Sequence, residues 1–414
     1  MLDIKFIVNN ADDVARNAKA RGYDVDVDAI IALDQDRRTL IVEIEERRKE
    51  SKALAAKSGA GAVDPDSIRA RARAIKEAIS QGEARLREIE DDLNDRLARV
   101  PNMLDPRVPM GSEDDFTLFR EWGTPRRFDF TPRSHEDVAE GLDMLDIARG
   151  VSVAGSRFYV LKNDAVRLRY AMIGLWQAMV ADAPWQLVSP PLLARPETLF
   201  TAGYTPFASK ENYKIEDSNL SLIGTSEQAI LGFHIDEILE SLPLLYMGDS
   251  MCFRTEAGAA GRDTRGIIRV HQFFKLEQVV FCRPEESEHW HLQCLANEER
   301  FLQLLDIPYR VIVCSSGDIA APGHFKYDIE AWMPGQDRYR EVTSNTNLTD
   351  FQTRRGNIRW RDEDGKRVYP HTISATGFCD RHLLALLETH QNEDGSLTIP
   401  PALVPYMGGV ERIG

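Results

Sequence analysis

The sequence predicts an α+β protein in two parts, an N-terminal antiparallel helical hairpin of coiled-coil type and a larger domain containing antiparallel β structure. Three observations carry this. Two heptad runs meet at a Gly/Pro turn within the first hundred residues. Prolines at 101, 106 and 109 then close the helical part. Further on, the apolar and aromatic segments 253–258 and 266–281 flank an insert of Gly, Ala and charge, as a long hairpin with a tip at about 258–267 requires.

With 414 residues, 43% apolar and 28% charged, the chain has room for two or three domains and the make-up of a soluble globular protein. It has no run of about 18 uncharged apolar residues. Its start, Met1-Leu2-Asp3-Ile4-Lys5-Phe6, lacks the basic and apolar regions of a secretory signal, so a cytoplasmic protein without a membrane partner is expected. The five cysteines (252, 282, 294, 314, 379) form no Cys-x-x-Cys pair and read as reduced core thiols, the other reading being a zinc site from Cys252, Cys282 and a partner. The net charge of −15 speaks against nucleic acid until its distribution is examined. Residues 1–100 hold 19 Lys/Arg against 21 Asp/Glu, and 37–76 hold 11 against 6. A basic stretch is thus kept apart from an acidic bulk, as a dedicated nucleic-acid arm requires.

Taken in order, residues 1–25 read as a short strand or extended lead and then a helix capped by Asn10, Asp12 and Asp13. From 27 to 58 a heptad runs through Ile30, Leu33, Leu40, Ile44 and Leu54, with Arg37, Arg47 and Ser51 in its polar places. After the turn at 59–66 a second run follows through Ile68, Ala72, Ile75, Ile79, Leu86, Ile89, Leu93 and Leu97. Two helices of roughly 32 residues give a hairpin about 48 Å long, too narrow to pack wholly on a globular domain. It serves either as a dimerisation element or spacer, or as an arm on a nucleic-acid backbone. Arg37, Arg38, Arg47, Arg48, Lys49 and Lys52 on one helix, with Arg69, Arg71, Arg73 and Lys76 on the other, favour the arm.

The proline-rich linker at 100–109 sets the domain boundary between 103 and 104. Beyond it, 167–179 reads as a helix, and 228–239 as another whose start Thr225 and Glu227 suit as caps. A helix over 287–305 is expected with Ser287 as its cap, and 327–334 alternates as a strand continued by 340–345. In the central hairpin Arg254 and Glu256 are two apart and on a strand share one face. Arg269 on the return strand reaches that face, and so do Phe273 or Glu277 if the register allows. A guanidinium fork for phosphate, a carboxylate for an exocyclic amine and a ring to stack on a base describe a nucleotide site. The competing reading is a surface hairpin laced with ion pairs.

The string F-R-x-E, a short tip, then R-x-H-Q-F-x-K-x-E resembles motif 2 of the class II aminoacyl-tRNA synthetases, in the wording of the seryl-tRNA synthetases. The likeness extends over essentially the whole chain. Leu187-Val188-Ser189-Pro190-Pro191-Leu192 resembles motif 1, the element at a class II dimer interface, and 371–388 with Arg381 resembles motif 3. Segments 100–109, 122–130, 145–161, 327–334, 340–355 and 400–409 are similar to the family as well.

This resemblance implies a catalytic antiparallel sheet flanked by helices, a homodimer, and activation of L-serine by ATP with Mg²⁺ before transfer to a serine-accepting tRNA. It implies that Arg254 and Arg381 are catalytic, on the α- and γ-phosphates. It assigns Thr225, Ser226, Glu227, Arg254, Glu277, Ser374 and Thr376 to serine. It assigns Arg254, Thr255, Glu256, Arg269, Val270, Phe273, Glu341, Val342, Thr343, Ser344 and Arg381 to ATP, with Glu341 and Ser344 on Mg²⁺. For tRNA it implies Arg37, Arg47, Arg48, Lys49, Lys52, Arg69 and Arg73 on the arm, and Arg262 and Arg265 at the hairpin tip.

Motif 3 departs from the family. Ser374 stands where Asn is usual, and the loop before Arg381 is one residue shorter and filled by Phe378-Cys379-Asp380. A carboxylate beside the expected phosphate ligand puts the reach of Arg381 and the shape of the amino-acid pocket in question. The departure motivates a paralogue that serves a biosynthetic or resistance pathway or activates another small amino acid. Transfer to a carrier protein and a non-catalytic tRNA-binding protein are the remaining alternatives.

Overall fold

The two heptad runs form two long helices. The computed structural model describes residues 1–58, 65–257 and 266–414, so part of the turn between these helices and the tip of the central hairpin lie outside the described residues. The chain divides into two units, Met1–Met103 and Leu104–Gly414. In the first, Ile4–Asn9 is a helix (α1) where an extended lead was expected, because the Asp3 carboxylate accepts from the amides of Lys5 (2.8 Å) and Phe6. Helix α2 spans Ala11–Ala20, with Asp12 and Asp13 in its first turn; Asn10 stands at its N-cap position, but its side chain donates to the Phe6 carbonyl (2.9 Å) and caps no α2 amide.

Helices α3 (Val27–Ser58) and α4 (Pro65–Ala98) run antiparallel. Their seam buries Ile30 and Ile44 against Ile75, Ile89, Leu93 and Leu97. Gly82 supplies the close approach, since a Cβ there would lie 3.0 Å from the Ile44 side chain. Ala72, expected in the seam, is exposed. At the base, Ile7, Val14, Val27 and Val100 join the same apolar cluster, so the short helices anchor the hairpin.

The second unit is built on an eight-stranded sheet. Its strands are β1 (Thr117–Trp122), β2 (Gln186–Val188), β3 (Leu244–Phe253), β4 (Gln272–Cys282), β5 (Tyr309–Val313), β6 (Phe325–Met333), β7 (Arg338–Thr349) and β8 (His371–Cys379). Their order is β1-β5-β6-β7-β8-β4-β3-β2, antiparallel throughout except for the parallel pair of β2 with β3. Helix α5 (Asp164–Met179) precedes β2, α6 (Ser226–Phe233) precedes β3, α7 (Ser287–Leu304) follows β4 and α8 (Asp380–Thr389) follows β8.

One face of the sheet is closed by α7 through a row of polar contacts. Gln278 Nε2 donates to the Cys294 carbonyl (3.3 Å), Thr343 Oγ1 to Glu298 (3.1 Å) and Asn345 Nδ2 to the His291 carbonyl (3.1 Å). Asn347 Nδ2 donates to the Ser287 hydroxyl (2.8 Å). Ser287 is therefore not the cap: Glu286 holds that position after a 3₁₀ turn at Pro284–Glu286.

Three further expectations change. The helix from 226 stops at Phe233, short of 239, because Asp236 turns left-handed (φ 65) and Ile238–Leu239 becomes a short strand. The central hairpin pairs from Leu244–Phe281 to Phe253–Gln272, so Arg254, Glu256 and Arg269 lie beyond its strands. Period-two alternation does not govern them, and Glu256 is itself left-handed (φ 52). Cys252 pairs opposite Phe273 and Cys282 opposite His371, at opposite ends of β4 and about 30 Å apart, so they share no zinc. Among the described residues no helix is long and apolar enough to cross a membrane.

Candidate active site

The sheet face opposite α7 carries the polar residues. Ile329 pairs with Thr343 but Glu330 pairs with Glu341, leaving Val342 as the extra residue of a β-bulge. The bulge puts Glu341 on the same face as Ser344, although three positions separate them and plain alternation would set them on opposite sides. Thr343 faces the other way, toward Glu298, and the buried Val342 offers its carbonyl to the Cys379 thiol (3.2 Å). Asp328 lies opposite Ser344. Among the described residues the one cluster whose ligand atoms converge is Cys314, Asp318 and Asp328. Its centre is taken by Lys326, whose ammonium lies 2.8 Å from Asp318 and 2.9 Å from Asp328. Burial pushes Asp328 upward against the pull of that lysine.

Past the end of β3 the backbones of Arg254 and His271 continue the ladder, the Arg254 amide donating to the His271 carbonyl (3.0 Å). This fixes the Arg254 guanidinium 5.3 Å from the Phe273 ring centroid, with Nε near the Gly224 carbonyl (3.4 Å). The Glu256 carboxylate pairs with Arg269 at 2.9 Å. Thr255 donates to the Lys210 carbonyl (2.5 Å), and Val270 is buried. Arginine and ring thus form an open clamp beside an ion pair.

Deeper on the same face, Phe273, Lys275 and Glu277 follow each other at period two along β4. Thr376 pairs opposite Glu277, and Ser374 donates to Glu277 Oε1 at 2.8 Å. Lys275 Nζ lies 2.5 Å from Glu277 Oε2. Against them stands the start of α6, where Thr225 caps the helix and accepts from the Glu227 amide (3.3 Å). Ser226 is fully buried and donates to the Gly248 carbonyl (3.2 Å). The Glu227 carboxylate accepts from Gln352 Nε2 (2.6 Å), which is held in turn by Thr372 (2.7 Å). Burial first, and then the charge of Glu277, raises Glu227 above its ordinary range. Burial, the largest influence, lowers Lys275, but Glu277 and Cys252 together outweigh it and raise the group. Two buried carboxylates, Glu227 and Glu277, thus share the influence of one lysine, a set of groups that suits a compact ligand with an ammonium and a hydroxyl.

Lys275 and Gln352 join the site without having been expected there from the sequence. The first was legible as the middle member of the Phe273–Lys275–Glu277 alternation. No local signal marks Gln352, which arrives from a separate short helix, Phe351–Arg355.

Motif 3 is arranged differently from the concern that its sequence raises. Arg381 stands at the start of α8 with Nη1 3.1 Å from Glu341 Oε1 and 3.0 Å from the Glu341 carbonyl. Its neighbour Asp380 points away into the protein, held by Arg169 (2.9 and 3.1 Å), Tyr159 (2.7 Å) and the Phe274 amide (2.9 Å). The shortened loop leaves Arg381 on the polar face. Partial desolvation would raise Glu341, but the charges of Arg381 and Lys326 outweigh it and hold its carboxyl below the ordinary range.

On the arm the basic residues fall into two groups. Arg37 and Arg38 pair with Asp34 (2.8 and 2.7 Å), Arg48 with Glu45 and Glu83 (2.5 and 2.8 Å), Arg69 with Asp66 (3.4 Å) and Arg71 with Glu50. Arg47 lies in the seam and donates to the Ala78 carbonyl (3.3 Å). Lys49, Lys52, Arg73 and Lys76 are exposed. Arg262 and Arg265 lie outside the described residues.

Comparison with known proteins decides the family. Residues 1–104 match the seryl-tRNA synthetase N-terminal domain, and 213–390 match the class II tRNA synthetase core domain (G, H, P, S and T). The serine–tRNA ligase of Thermobifida fusca is 41% identical over 99% of this chain and 98% of its own. The chain belongs to the seryl-tRNA synthetases. The Dictyoglomus turgidum serine–tRNA ligase is 42% identical over 99% of this chain and 98% of its own. The fold matches the seryl-tRNA synthetase of Pyrococcus horikoshii complexed with ATP at a TM-score of 0.94 and 39% identity, covering 100% of this chain and 99% of that one. It matches the cytoplasmic serine–tRNA ligase of Naegleria fowleri in complex with AMP at 0.89 and 30%, covering 100% and 98%. As a seryl-tRNA synthetase the protein is an aminoacyl-tRNA ligase with a class II core, and ATP is the nucleotide of its family.

Proposed function

We propose that the protein ligates L-serine to a serine-accepting tRNA in two steps on the polar sheet face. The serine carboxylate attacks the α-phosphate of ATP, expelling pyrophosphate and forming seryl-adenylate. The 3′-terminal ribose hydroxyl of tRNA then takes the seryl group and releases AMP. Such chemistry asks for positioning and charge stabilisation more than for covalent help. Arg254 clamps the α-phosphate and the serine carboxylate, Phe273 stacks on adenine and Glu256 accepts from its amine. Arg381 takes the γ-phosphate. Thr225 and Glu227 receive the ammonium, while Glu277 and Thr376 receive the serine hydroxyl. A site that hydrogen-bonds a hydroxyl rejects an analogue lacking it by roughly 10⁴–10⁵.

Glu341 and Ser344 would hold Mg²⁺. The fit rests on hard oxygens gathered on one face by the bulge, with Asp328 Oδ1 buried behind them and lacking a hydrogen-bond partner. When bound, the ion would balance the charge of the ATP phosphates.

The observation that carries the reading is the meeting of the Arg254–Phe273 clamp, the Glu341–Arg381 pair and the buried carboxylates Glu227 and Glu277 on one side of the sheet. The first unit, 1–103, is proposed as the tRNA-binding arm and the second, 104–414, as the catalytic domain. Exposed Leu187 and Leu192, on and beside the edge strand β2, support a homodimer through motif 1. A cytoplasmic setting follows from the need for ATP and tRNA.

Serine-dependent exchange between ATP and pyrophosphate tests the proposal, with alanine, glycine and threonine in parallel. Ser374 in place of the usual Asn favours a second reading, a paralogue that activates another small amino acid. Strict serine dependence removes that reading, and faster exchange with another amino acid replaces the first.

A further inference from the structure

We infer that Asp380 is a positioning residue for ATP, clamping the start of α8 and the adjoining stretch of β4 so that Arg381 and Phe273 hold their places. The inference rests on the reading of Arg381 and Phe273 as ATP ligands.

The backbone pairing of β8 with β4 ends at Cys379 opposite Lys275. Beyond that point the Phe274 amide finds no carbonyl and donates instead to Asp380 Oδ2 at 2.9 Å. Asp380 is the first residue of α8, where the helix end favours a carboxylate. The same oxygen receives the Tyr159 hydroxyl (2.7 Å), and both oxygens receive the fork of Arg169 on α5 (2.9 and 3.1 Å). Asp380 is only 4% exposed, and the Arg169 side chain 18%. A bidentate pair so shielded from water fixes geometry more firmly than a surface pair does. Arg169 also lies 5.8 Å from the centroid of the Phe274 ring.

The chain neighbours of the clamped atoms are the proposed ATP ligands. Arg381 follows Asp380, and its own contacts to the Ile268 carbonyl (3.3 Å) and the Glu341 carbonyl (3.0 Å) fix only its guanidinium. Phe273 precedes Phe274 and sends its ring to the opposite face, toward Arg254. One carboxylate therefore ties the backbone on both sides of the nucleotide to α5. Asp380 sits in the shortened segment of motif 3, and its tie to β4 gives this loop a fixed end.

The test compares Asp380→Ala, Asp380→Asn, Arg169→Ala and Arg169→Lys with wild type. Serine-dependent exchange is measured at varied ATP and varied serine, alongside thermal melting of each protein. Asp380→Ala and Arg169→Ala are expected to raise the KM for ATP about tenfold or more while the KM for serine stays within about twofold. The double variant Asp380→Ala/Arg169→Ala should add little to either single change, because the two residues form one pair. Asp380→Asn and Arg169→Lys, which keep part of the contact set, should fall between these and wild type. Lowered melting and kcat with an unaltered KM for ATP in all four would overturn the inference and leave the function standing. Absence of exchange in wild type would remove the function and the inference together.

Discussion

Arg381 in the first turn of α8 and Glu341 beside the bulge of β7 face each other, with Nη1 3.1 Å from Oε1 and both side chains partly open to solvent (28% and 46% exposed). A pair so exposed contributes little to stability, so its separation by a ligand costs little. In the proposed function the arginine exchanges the carboxylate for the γ-phosphate, and the freed carboxylate would be one of the groups that hold Mg²⁺.

Glu341→Gln removes a hard anionic ligand while keeping the shape of the side chain. Exchange should fall on the order of 10²-fold, and half-maximal activity should require more Mg²⁺. Arg381→Ala should lose a comparable factor without moving the Mg²⁺ requirement. Titration of Mg²⁺ at fixed ATP measures both, and an unchanged Mg²⁺ curve for Glu341→Gln would reject its assignment.

Glu227 makes serine binding sensitive to pH. Burial and then Glu277 raise its pKa, and only the ionised form attracts an ammonium. Serine affinity is therefore full above the raised pKa and declines as pH falls through it, so the KM for serine should rise on acidification before the ordinary glutamate range is reached. Stability moves the other way. A carboxyl raised in the folded state favours folding below its ordinary pKa and loses that contribution as pH rises through the folded value. Glu227→Gln should accordingly melt no lower than wild type near pH 8, while serine-dependent exchange is lost. A variant with normal serine KM at every pH would contradict the role.

Much of this site could be seen in the sequence, and what could not has definite causes. The heptads exposed α3 and α4 because a period of 3.5 survives the two arginine and serine interruptions. The central hairpin was legible from its aromatic and apolar flanks, yet Arg254 and Glu256 owe their places to the turn beyond β3. The pairing of Glu341 with Ser344 depends on the bulge at Val342, a register shift set by β6 that no local pattern announces. Asp380 looked like a repulsive neighbour for ATP because its partners, Arg169 and Tyr159, lie more than two hundred residues away in the chain. The helix at Ile4–Asn9 was hidden behind a β-like string, and only the Asp3 cap betrays it.

The arm should act on tRNA alone. Arg47 lies in the seam and Arg48 and Arg71 make ion pairs within the hairpin, so the exposed Lys49, Lys52, Arg73 and Lys76 are the groups that can meet phosphates without breaking an ion pair first. Reversing all four to Glu is expected to cut tRNA charging at physiological salt by on the order of 10²-fold or more, with a shallower salt dependence, and to spare serine-dependent exchange. Equal loss of charging and exchange would show that the arm has another task.

The seam of the arm is tightest at Gly82, where added atoms meet Ile44. Gly82→Leu overfills that approach and should destabilise the hairpin by about 1–3 kcal/mol. Circular dichroism of the full chain should show an earlier helical transition, with tRNA charging reduced and exchange preserved. A melting curve identical to wild type would mean that the helices separate there without cost.

The most direct measurement is a crystal structure with a non-hydrolysable seryl-adenylate analogue. The account predicts adenine on the Phe273 ring, the phosphate mimic at Arg254, the ammonium at Glu227 and the serine hydroxyl at Glu277, with Asp380 still on Arg169. An analogue bound on another surface, or seated here with its hydroxyl turned away from Glu277 and its base away from Phe273, would contradict it.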